Sequence, residues 1–335
     1  MRYIENEFEN KTILITGAAG FIGSNLAFYF QENYPKARII AFDIFRTNER
    51  FGNGNLKSFG HFKNLTGFKG EIISGDITKK EDLSRLEMYD IDYIFHEAAI
   101  SDTTVLDQEI MIKTNVNAFV DLLEFAKKTN AKMIYASSGA TYGDVPSPQR
   151  VGVENPQNVY GFSKLMMDNI AREYTKRYDM RIVGLRYFNV YGRREFFKEK
   201  TASMVLQLGL QILNGKAPRL FFNSNKILRD FIYIDDIIQA NILSMDTEKS
   251  GIYNVGTSKP RSFQDIADIL QKEFGTDYKT DYFANPFKAY QTHTQADIVL
   301  ASKELGYEPR FSLEDGIRDY VSEIKRVYES EIKNV

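Results

Sequence analysis

Residues 12–23, TILITGAAGFIG, decide the fold of this chain. Their first half is a β-branched run that predicts a buried strand, and Phe21–Asn33 predicts the helix that follows. Between the two lie Gly17, Gly20 and Gly23, which let the chain turn tightly. They also let the pyrophosphate of a dinucleotide approach the helix N-terminus, where free N–H groups favour an anion. A plain strand-to-helix turn is the simpler interpretation, and an acidic residue at the end of the second strand favours the dinucleotide.

The rest of the chain continues this alternation of short apolar runs with longer amphipathic segments, which is typical of βαβ units and a parallel sheet. Residues 45–68 are polar, glycine-rich and aperiodic, and they predict a long loop at the carboxyl edge of the sheet. Further strands are predicted at residues 38–43, 71–74, 92–97, 132–137 and 181–188, with helices at about 108–129 and 159–178 and late strands at 231–234 and 251–256. Ser262 and Ser312 are expected to cap two later helices. The predicted fold class is α/β, with a doubly wound, Rossmann-type parallel sheet.

Composition excludes several classes of function. The 335 residues carry a formal net charge of -2, so the chain lacks the clustered basic face that nucleic acid binding requires. No apolar run reaches the roughly 18 residues of a membrane-spanning helix, so no membrane partner is expected. The absence of cysteine rules out disulfides and thiolate metal sites and is consistent with a cytoplasmic protein. His61, His96 and His293 are far apart and not spaced as metal ligands, so no metal site is predicted.

The residues that follow the second strand bear on the choice of dinucleotide. Asp43 lies twenty residues past Gly23, where a carboxylate usually bonds the adenosine ribose hydroxyls and favours NAD. Arg46, Arg50 and Lys80 are cations that would suit the ribose phosphate of NADP, although each also fits a solvated surface charge. The sequence alone leaves NAD and NADP both open.

The sequence YGFSK places Tyr160 and Lys164 on adjacent turns of one predicted helix. A tyrosine with an ordinary pKa near 10 is a poor base at neutral pH, and a lysine cation beside it favours the phenolate. Ser138 follows the predicted strand 132–137 and supplies a hydroxyl to orient a substrate oxygen. These three residues, in this order after a glycine loop, predict proton chemistry coupled to nicotinamide redox.

Four segments together resemble the extended short-chain dehydrogenase/reductase superfamily: GAAGFIG (17–23), YASSGATYG (135–143), YGFSK (160–164) and RYFNVYG (186–192). This resemblance covers nearly the whole chain and implies transient oxidation of a nucleotide-linked sugar. It also implies a Rossmann domain of residues 1–188 plus about 230–258. A smaller, interleaved α/β substrate-binding lobe would take about 189–229 plus 259–335.

Two positions after the fifth strand bear on the reaction. Sugar-nucleotide dehydratases of the superfamily carry acidic residues there, whereas this chain has Gly139 and Ala140, so elimination of water is not expected. A 4-epimerase or a reductase acting on another nucleotide sugar stays possible. So does a non-catalytic NAD(P)-sensing regulator, although a sensor has no need of a complete proton relay.

A narrower resemblance, to the ADP-L-glycero-D-manno-heptose 6-epimerase family, rests on four further segments: HEAAISDTT (96–104), RYFNVYGRREFFKEKTASM (186–204), RDFIYIDD (229–236) and YQTHTQAD (290–297). It implies inversion at carbon 6 of ADP-heptose by two acid/base groups, Tyr160 and Lys198, for lipopolysaccharide core synthesis. Lys200 lies on the same charged loop and is a rival second base. The family further implies a homo-oligomer, commonly a pentamer.

The same resemblance implies a set of binding residues. Those expected around the cofactor are Gly17, Gly20, Phe21, Ile22, Gly23, Asp43, Ile44, Arg50, Lys80, Glu97, Ala98, Ala99, Ile100, Ser101, Asn115, Tyr160, Lys164 and Val190. Those expected around the substrate are Ser138, Asn189, Lys200, Gln207, Phe221, Phe222, Asn223, Ser224, Arg229 and Tyr290. Three depart from the family pattern: Arg50 replaces a lysine, Lys200 a serine and Gln207 a histidine.

Overall fold

A central parallel sheet organises the protein, as seen in a computed structural model that describes residues 2–5, 7–285 and 292–333. The strands are β1 Thr12–Thr16, β2 Arg38–Asp43, β3 Glu71–Ser74, β4 Tyr93–His96, β5 Lys132–Ser138, β6 Ile182–Tyr187, β7 Asn189–Tyr191, β8 Arg219–Phe221, β9 Leu228–Arg229, β10 Phe231–Tyr233, β11 Gly251–Val255, β12 Arg261–Ser262 and β13 Asp281–Phe283. Seven of them form the sheet in the order β11-β6-β5-β4-β1-β2-β3, and every neighbouring pair is parallel. The predicted doubly wound parallel sheet is therefore confirmed.

Helices cover both faces of this sheet, and further helices form a separate layer later in the chain. They are α1 Phe21–Asn33, α2 Lys80–Ser84, α3 Gln108–Met111, α4 Ala118–Thr129, α5 Val159–Tyr178, α6 Met204–Leu213, α7 Ile234–Asp246, α8 Phe263–Phe274, α9 Val299–Leu305 and α10 Leu313–Tyr328. Short 3-10 or π turns lie at Phe62–Leu65, Arg85–Met88, Ile112–Asn117, Gly139–Tyr142, Phe196–Thr201, Ser224–Lys226 and Glu329–Lys333. The helix predicted at 108–129 runs through α3, the π turn and α4. Among the described helices, none is long and apolar enough to cross a membrane.

Burial on both faces explains why the central strands are mostly apolar, although β6 also buries Arg186. β4 and β6 are buried at every position. One face packs against α1 and α7 through residues such as Leu26 and Ile237, and the other packs against α4 and α5 through residues such as Phe119 and Met167. Strands covered in this way read as continuous hydrophobic runs.

The strand order places the cleft. From β1 the chain moves outward through β2 and β3 and then returns to β4 on the other side of β1. At such a switch point the connections after neighbouring strands diverge, and ligands of open α/β sheets bind in the crevice outside the carboxyl ends. The glycine loop after β1 and the turns after β4 and β5 all lie at this edge.

The later part of the chain adds a helical layer and three two-stranded sheets. α6, α8 and α10 pack together through apolar residues that include Leu208, Leu270 and Ile324. The expectation for 251–256 is confirmed, since β11 joins the edge of the main sheet. The strand predicted at 231–234 does not join the main sheet, because β10 pairs with β7 in a separate two-stranded sheet. The division into two lobes stays a prediction.

The predicted N-caps form as expected. Ser262 and Asp265 make a capping box at the start of α8, and the Ser312 hydroxyl accepts the backbone N–H of Asp315 at 3.1 Å. Each cap satisfies N–H groups that would otherwise lack a partner in the first turn.

Candidate active site

A cavity of about 1310 Å³ opens at the carboxyl edge of the sheet. The predicted site residues that line it are Gly17, Gly20, Phe21, Ile22, Gly23, Asp43, Ile44, Glu97, Ala98, Ala99, Ile100, Ser101, Ser138, Tyr160, Lys164, Asn189, Val190, Lys198 and Arg229. They lie in several strands, including β2, β5, β7 and β9, or in the loops and helices that follow strands. The topology therefore brings together residues that are far apart in sequence.

The glycine turn after β1 is shaped for close approach. Gly17 has a φ of +67°, and a Cβ there would lie 2.7 Å from the backbone nitrogen of Ala98. A Cβ on Gly23 would lie 2.3 Å from the carbonyl oxygen of Gly17. Gly20 caps α1 without a side-chain hydrogen bond, and no acid occupies the first turn. The N-terminal N–H groups of α1 are thus available to an anion such as a pyrophosphate.

Asp43 ends β2 and lies buried beside this turn. Its Oδ2 accepts the backbone N–H of Ala19 at 2.9 Å, and its Oδ1 accepts that of Phe45 at 2.8 Å. Burial raises the pKa of the Asp43 carboxyl, and these two N–H groups oppose the rise. Gly60 crosses closely above it, since a Cβ there would meet Oδ1 at 2.1 Å.

The predicted phosphate-binding cations do not all gather. Arg46 and Arg50 both approach the carboxylate of Glu199, at 3.5 and 3.3 Å. Lys80 starts α2, is 80% exposed and pairs with Asp121 at 3.6 Å, and it does not line the cavity. The two arginines bind the same carboxylate and could together bind another anion. Lys80 lies apart from them because it points from α2 toward Asp121 on α4.

Ser138, Tyr160 and Lys164 form one connected cluster. The Ser138 hydroxyl interacts with the Tyr160 phenol. The Lys164 ammonium donates to the Ala136 carbonyl at 2.7 Å and lies 5.9 Å from the centre of the Tyr160 ring. Gly161 lets α5 approach the end of β5, because a Cβ there would lie 2.4 Å from the carbonyl oxygen of Ala140.

Burial governs the titration of this cluster. It raises the pKa of Tyr160, and the hydrogen bond with Ser138 opposes the rise. It lowers the pKa of Lys164 to about 8, while the carboxylates of Glu97 and Asp168 oppose the fall. Burial also raises the pKa of Glu97 to about 8, opposed by a hydrogen bond from Tyr187 and by the Lys164 charge. Groups that titrate near neutral pH are suited to proton transfer.

The structure separates the two rival lysines. Lys198 lines the cavity, and its ammonium lies 5.6 Å from the centre of the Phe21 ring. Lys200 is exposed and does not line the cavity. Between them Glu199 has a φ of +52°, which turns the chain so that the two side chains diverge. Burial lowers the pKa of Lys198, and the charge of Glu195 opposes the fall.

Other predicted residues lie outside the main cavity. Asn115 supports its wall by bonding both the N–H and the carbonyl of Ile100, at 2.8 and 3.0 Å. Gln207 borders a second cavity and donates to the carbonyl of Ala202 at 2.6 Å. Phe221, Phe222, Asn223 and Ser224 form the end of β8 and the turn after it, away from the main cavity. Tyr290 lies outside the described residues.

The cavity also holds residues that sequence reasoning missed. They include Gly75, Asp76, Ile77, Thr78, Lys113, Thr114, Phe231 and Phe263. The segment 75–78 follows β3 directly, so its place at the edge of the sheet was predictable. Phe231 and Phe263 meet edge to face with ring centres 5.5 Å apart, and the guanidinium of Arg229 lies 5.9 Å from the centre of the Phe263 ring. No sequence spacing predicts that cluster, because tertiary packing creates it.

Two of the three histidines contact side chains that are distant in sequence. Nδ1 of His96 lies 2.8 Å from the hydroxyl of Thr16, and the ring of His61 stacks on Phe197 with 3.7 Å between centres. Within residues 2–5, 7–285 and 292–333, no group of three or more His, Cys, Asp or Glu side chains is placed to hold a metal ion.

Comparison with known proteins agrees with this architecture. A sequence profile of the NAD dependent epimerase/dehydratase family matches residues 13–256. The chain is 54% identical to the ADP-L-glycero-D-manno-heptose-6-epimerase of Helicobacter pylori, over 97% of this chain and 99% of that one, with a TM-score of 0.90. It is 27% identical to the UDP-glucose 4-epimerase of Thermotoga maritima, over 94% and 99% of the two chains, with a TM-score of 0.84. It is 29% identical to the UDP-glucuronic acid 4-epimerase of Bacillus cereus, solved with UDP-glucuronic acid and NAD, over 95% and 100% of the two chains, with a TM-score of 0.81. The chain therefore belongs to the NAD dependent epimerase/dehydratase family.

Proposed function

We propose that this protein inverts carbon 6 of ADP-D-glycero-β-D-manno-heptose to give ADP-L-glycero-β-D-manno-heptose. The observation that carries the proposal is that two groups suited to proton transfer, Tyr160 and Lys198, reach one cavity from different elements. The 54% identity to the Helicobacter pylori enzyme supports the choice of sugar. Gly139 and Ala140 line the cavity where a dehydratase of the superfamily would carry acids, which supports epimerisation over elimination.

The end of the cavity at β1 and α1 fits a nicotinamide dinucleotide. The N-terminus of α1, which has no side-chain cap, suits the pyrophosphate, and Asp43 suits the adenosine ribose. Arg46 and Arg50 share one anion, Glu199, and the same pair suits the ribose phosphate of NADP. We therefore place NADP first and NAD second, and fluorescence titration with each cofactor compares their affinities. When bound, the cofactor supplies reversible hydride acceptance.

Tyr160 would take the proton of the carbon 6 hydroxyl as that carbon is oxidised. Lys164 would favour the phenolate by its positive charge, and Ser138 would hold the substrate oxygen beside the tyrosine. The resulting ketone carries no stereochemistry at carbon 6, so turning its other face toward the returning hydride inverts the centre. Lys198 would then protonate the new alkoxide.

The far part of the cavity suits the nucleotide end of the substrate. Arg229 is a guanidinium beside the aromatic surface of Phe231 and Phe263, a combination that matches a diphosphate next to a base. Asn189 lines the same cavity and would contact the sugar. The segment 221–224, Lys200, Gln207 and Tyr290 stay in the proposal as substrate contacts of the family pattern.

The biological setting follows from the proposed reaction. Its product would supply heptose for lipopolysaccharide core in the cytoplasm, where nucleotide sugars are made. We also propose a homo-oligomer, with five subunits as the first expectation, and light scattering of the purified protein measures this number.

The experiment is incubation of the purified protein with ADP-D-glycero-β-D-manno-heptose, with UDP-glucose and UDP-glucuronate in parallel. We expect proton NMR to show the carbon 6 epimer from the first compound alone. Inversion of either UDP-sugar at carbon 4, with no change in ADP-heptose, would support the 4-epimerase alternative. A protein that binds cofactor but converts none of the three would support the sensing alternative.

A further inference from the structure

Glu195 is a fully buried carboxylate that closes the loop bearing Lys198. Its Oε1 accepts the backbone N–H of Gly192 at 3.1 Å and the hydroxyl of Ser203 at 2.7 Å. Its Oε2 accepts the backbone N–H of Ser203 at 2.7 Å. Burial and the nearby Glu195 charge both raise the pKa of the Tyr320 phenol on α10. The Glu195 side chain thus joins both ends of residues 192–203 to each other.

The hydrogen bonds indicate the charged form of Glu195. Burial raises the pKa of this carboxyl, and the Lys198 ammonium and the N–H groups of Ser203 and Gly192 oppose the rise. The Ser203 hydroxyl accepts the N–H of Leu206 at 3.3 Å as the N-cap of α6, so its own hydrogen is free to point at Glu195. A carboxylate surrounded by donors is held in its ionised form.

Lys198 follows one turn later on the same loop. Its backbone N–H donates to the Glu195 carbonyl at 3.0 Å, and its own carbonyl accepts the Thr201 hydroxyl at 2.8 Å. Burial lowers the pKa of the Lys198 ammonium, and the negative charge of Glu195 opposes this fall. The carboxylate therefore acts on Lys198 in two ways: its hydrogen bonds to Gly192 and Ser203 tie together the two ends of the loop that carries Lys198, and its negative charge favours the ammonium form.

We propose that Glu195 is the positioning residue of Lys198. Glu195 fixes the loop so that the Lys198 ammonium faces the cavity. The charge of Glu195 also keeps the desolvated Lys198 protonated until Lys198 gives its proton to the substrate. The proposal rests on the proposed function in treating Lys198 as the second acid/base group. Titratable groups near the pair include Tyr320 on α10, Glu199, which pairs with Arg46 and Arg50, and the exposed Lys200. On the same loop Arg193 pairs with Asp235, and Tyr160 lines the same cavity as Lys198.

The test is a direct titration of Lys198 in Glu195→Gln and Glu195→Asp. The rate of acetylation by acetic anhydride is measured against pH, and mass spectrometry of the Lys198 peptide gives the midpoint. We expect the midpoint to fall by about one pH unit in Glu195→Gln, because the opposing charge is gone. Glu195→Asp keeps the negative charge but moves it away from Lys198, so its midpoint should lie between those of Glu195→Gln and the unmodified protein. An unchanged midpoint in both variants overturns the proposal.

Two controls separate this effect from general damage. Asp236→Asn also removes a buried carboxylate that accepts backbone N–H groups, but on α7 and away from the cavity, and it should leave the Lys198 midpoint unchanged. Lys200 on the same loop serves as an internal reference in every sample. If Glu195→Gln does not fold, Glu195→Asp carries the test, and a midpoint equal to that of the unmodified protein contradicts the proposal.

Turnover distinguishes this proposal from the proposed function. We expect Glu195→Gln to lose at least about tenfold in turnover, with the limb of the pH–rate profile that belongs to Lys198 moved to lower pH. If Lys198→Met retains full turnover while the acetylation midpoint still shifts in Glu195→Gln, the role of Glu195 stands and the catalytic role of Lys198 fails.

Discussion

At the scale of single residues, Tyr160 is the group on which the chemistry depends most. Tyr160→Phe removes the hydroxyl that lies against Ser138 while keeping the buried ring. We expect turnover of ADP-heptose to fall by about 10²–10⁴-fold, the usual contribution of a positioned acid/base group. Cofactor affinity should change little. Turnover equal to that of the unmodified protein would contradict the account.

The two loop lysines give a matched pair of variants. Lys198→Met should lose turnover by about 10²-fold or more, since Lys198 lines the cavity. Lys200→Met should retain kcat within about threefold at saturating substrate, because Lys200 is exposed and lies outside the cavity, and the loss of a substrate contact there would appear in KM instead. Steady-state kinetics of both variants show which lysine is the second acid/base group. The reverse result would assign the second base to Lys200.

Residue spacing predicted that Tyr160 and Lys164 lie together, but it could not predict which of the two loop lysines faces the cavity. Tyr160 and Lys164 are one helical turn apart, and helical geometry alone puts them side by side. Lys198 and Lys200 are equivalent in the sequence RREFFKEK. Only the positive φ of Glu199, which no spacing reveals, turns one inward and the other outward.

At the scale of elements, the glycine turn should tolerate no side chain at Gly23. Gly23→Ala places a Cβ 2.3 Å from the carbonyl oxygen of Gly17, so α1 must move away from the turn. We expect at least about a tenfold loss of affinity for NADP, because the backbone can no longer approach the pyrophosphate. Gly52→Ala is the control, since a Cβ there meets no atom of the described residues within 4 Å. Equal affinities in the two variants would rule out this role for the turn.

Asp236 near the start of α7 gives a pH-dependent test of stability. It accepts the backbone N–H groups of Arg310 and Phe311, and burial raises its pKa to about 6 from 3.8. Because the folded pKa is the higher one, this group stabilises the fold below pH 4, and that contribution is lost as pH rises through 6.

Asp236→Asn removes that dependence. Relative to the unmodified protein, the variant should gain about 2 kcal/mol in free energy of unfolding between pH 4 and pH 7. Urea unfolding of both proteins at the two pH values measures the difference. A difference that stays constant or falls over this range would show that Asp236 is not the responsible group.

The long elements were predictable because their patterns are local. β1, β2, β3, α1 and α5 have the predicted bounds, since buried strands and amphipathic helices carry their signal in consecutive residues. The pairing of β7 with β10 joins residues some forty positions apart, and neither strand exceeds three residues. Such short strands exist only because the surrounding fold brings them together.

At the scale of the whole molecule, the order of strands explains why distant motifs form one site. The parallel sheet collects the turns after β1, β2, β4 and β5 at one edge, beside the reversal of strand order. Chain order and the parallel sheet were thus enough to predict most of the cofactor wall. The cluster of Arg229, Phe231 and Phe263 was not predictable, because it depends on how α8 packs against the late strands.

The most direct test of the central claim is to run the reaction in D₂O and examine carbon 6 of the product by NMR and mass spectrometry. Transient oxidation with hydride return predicts ADP-L-glycero-β-D-manno-heptose with inverted carbon 6 and no deuterium on that carbon. Deuterium on carbon 6, or unchanged configuration at that centre, would contradict the account.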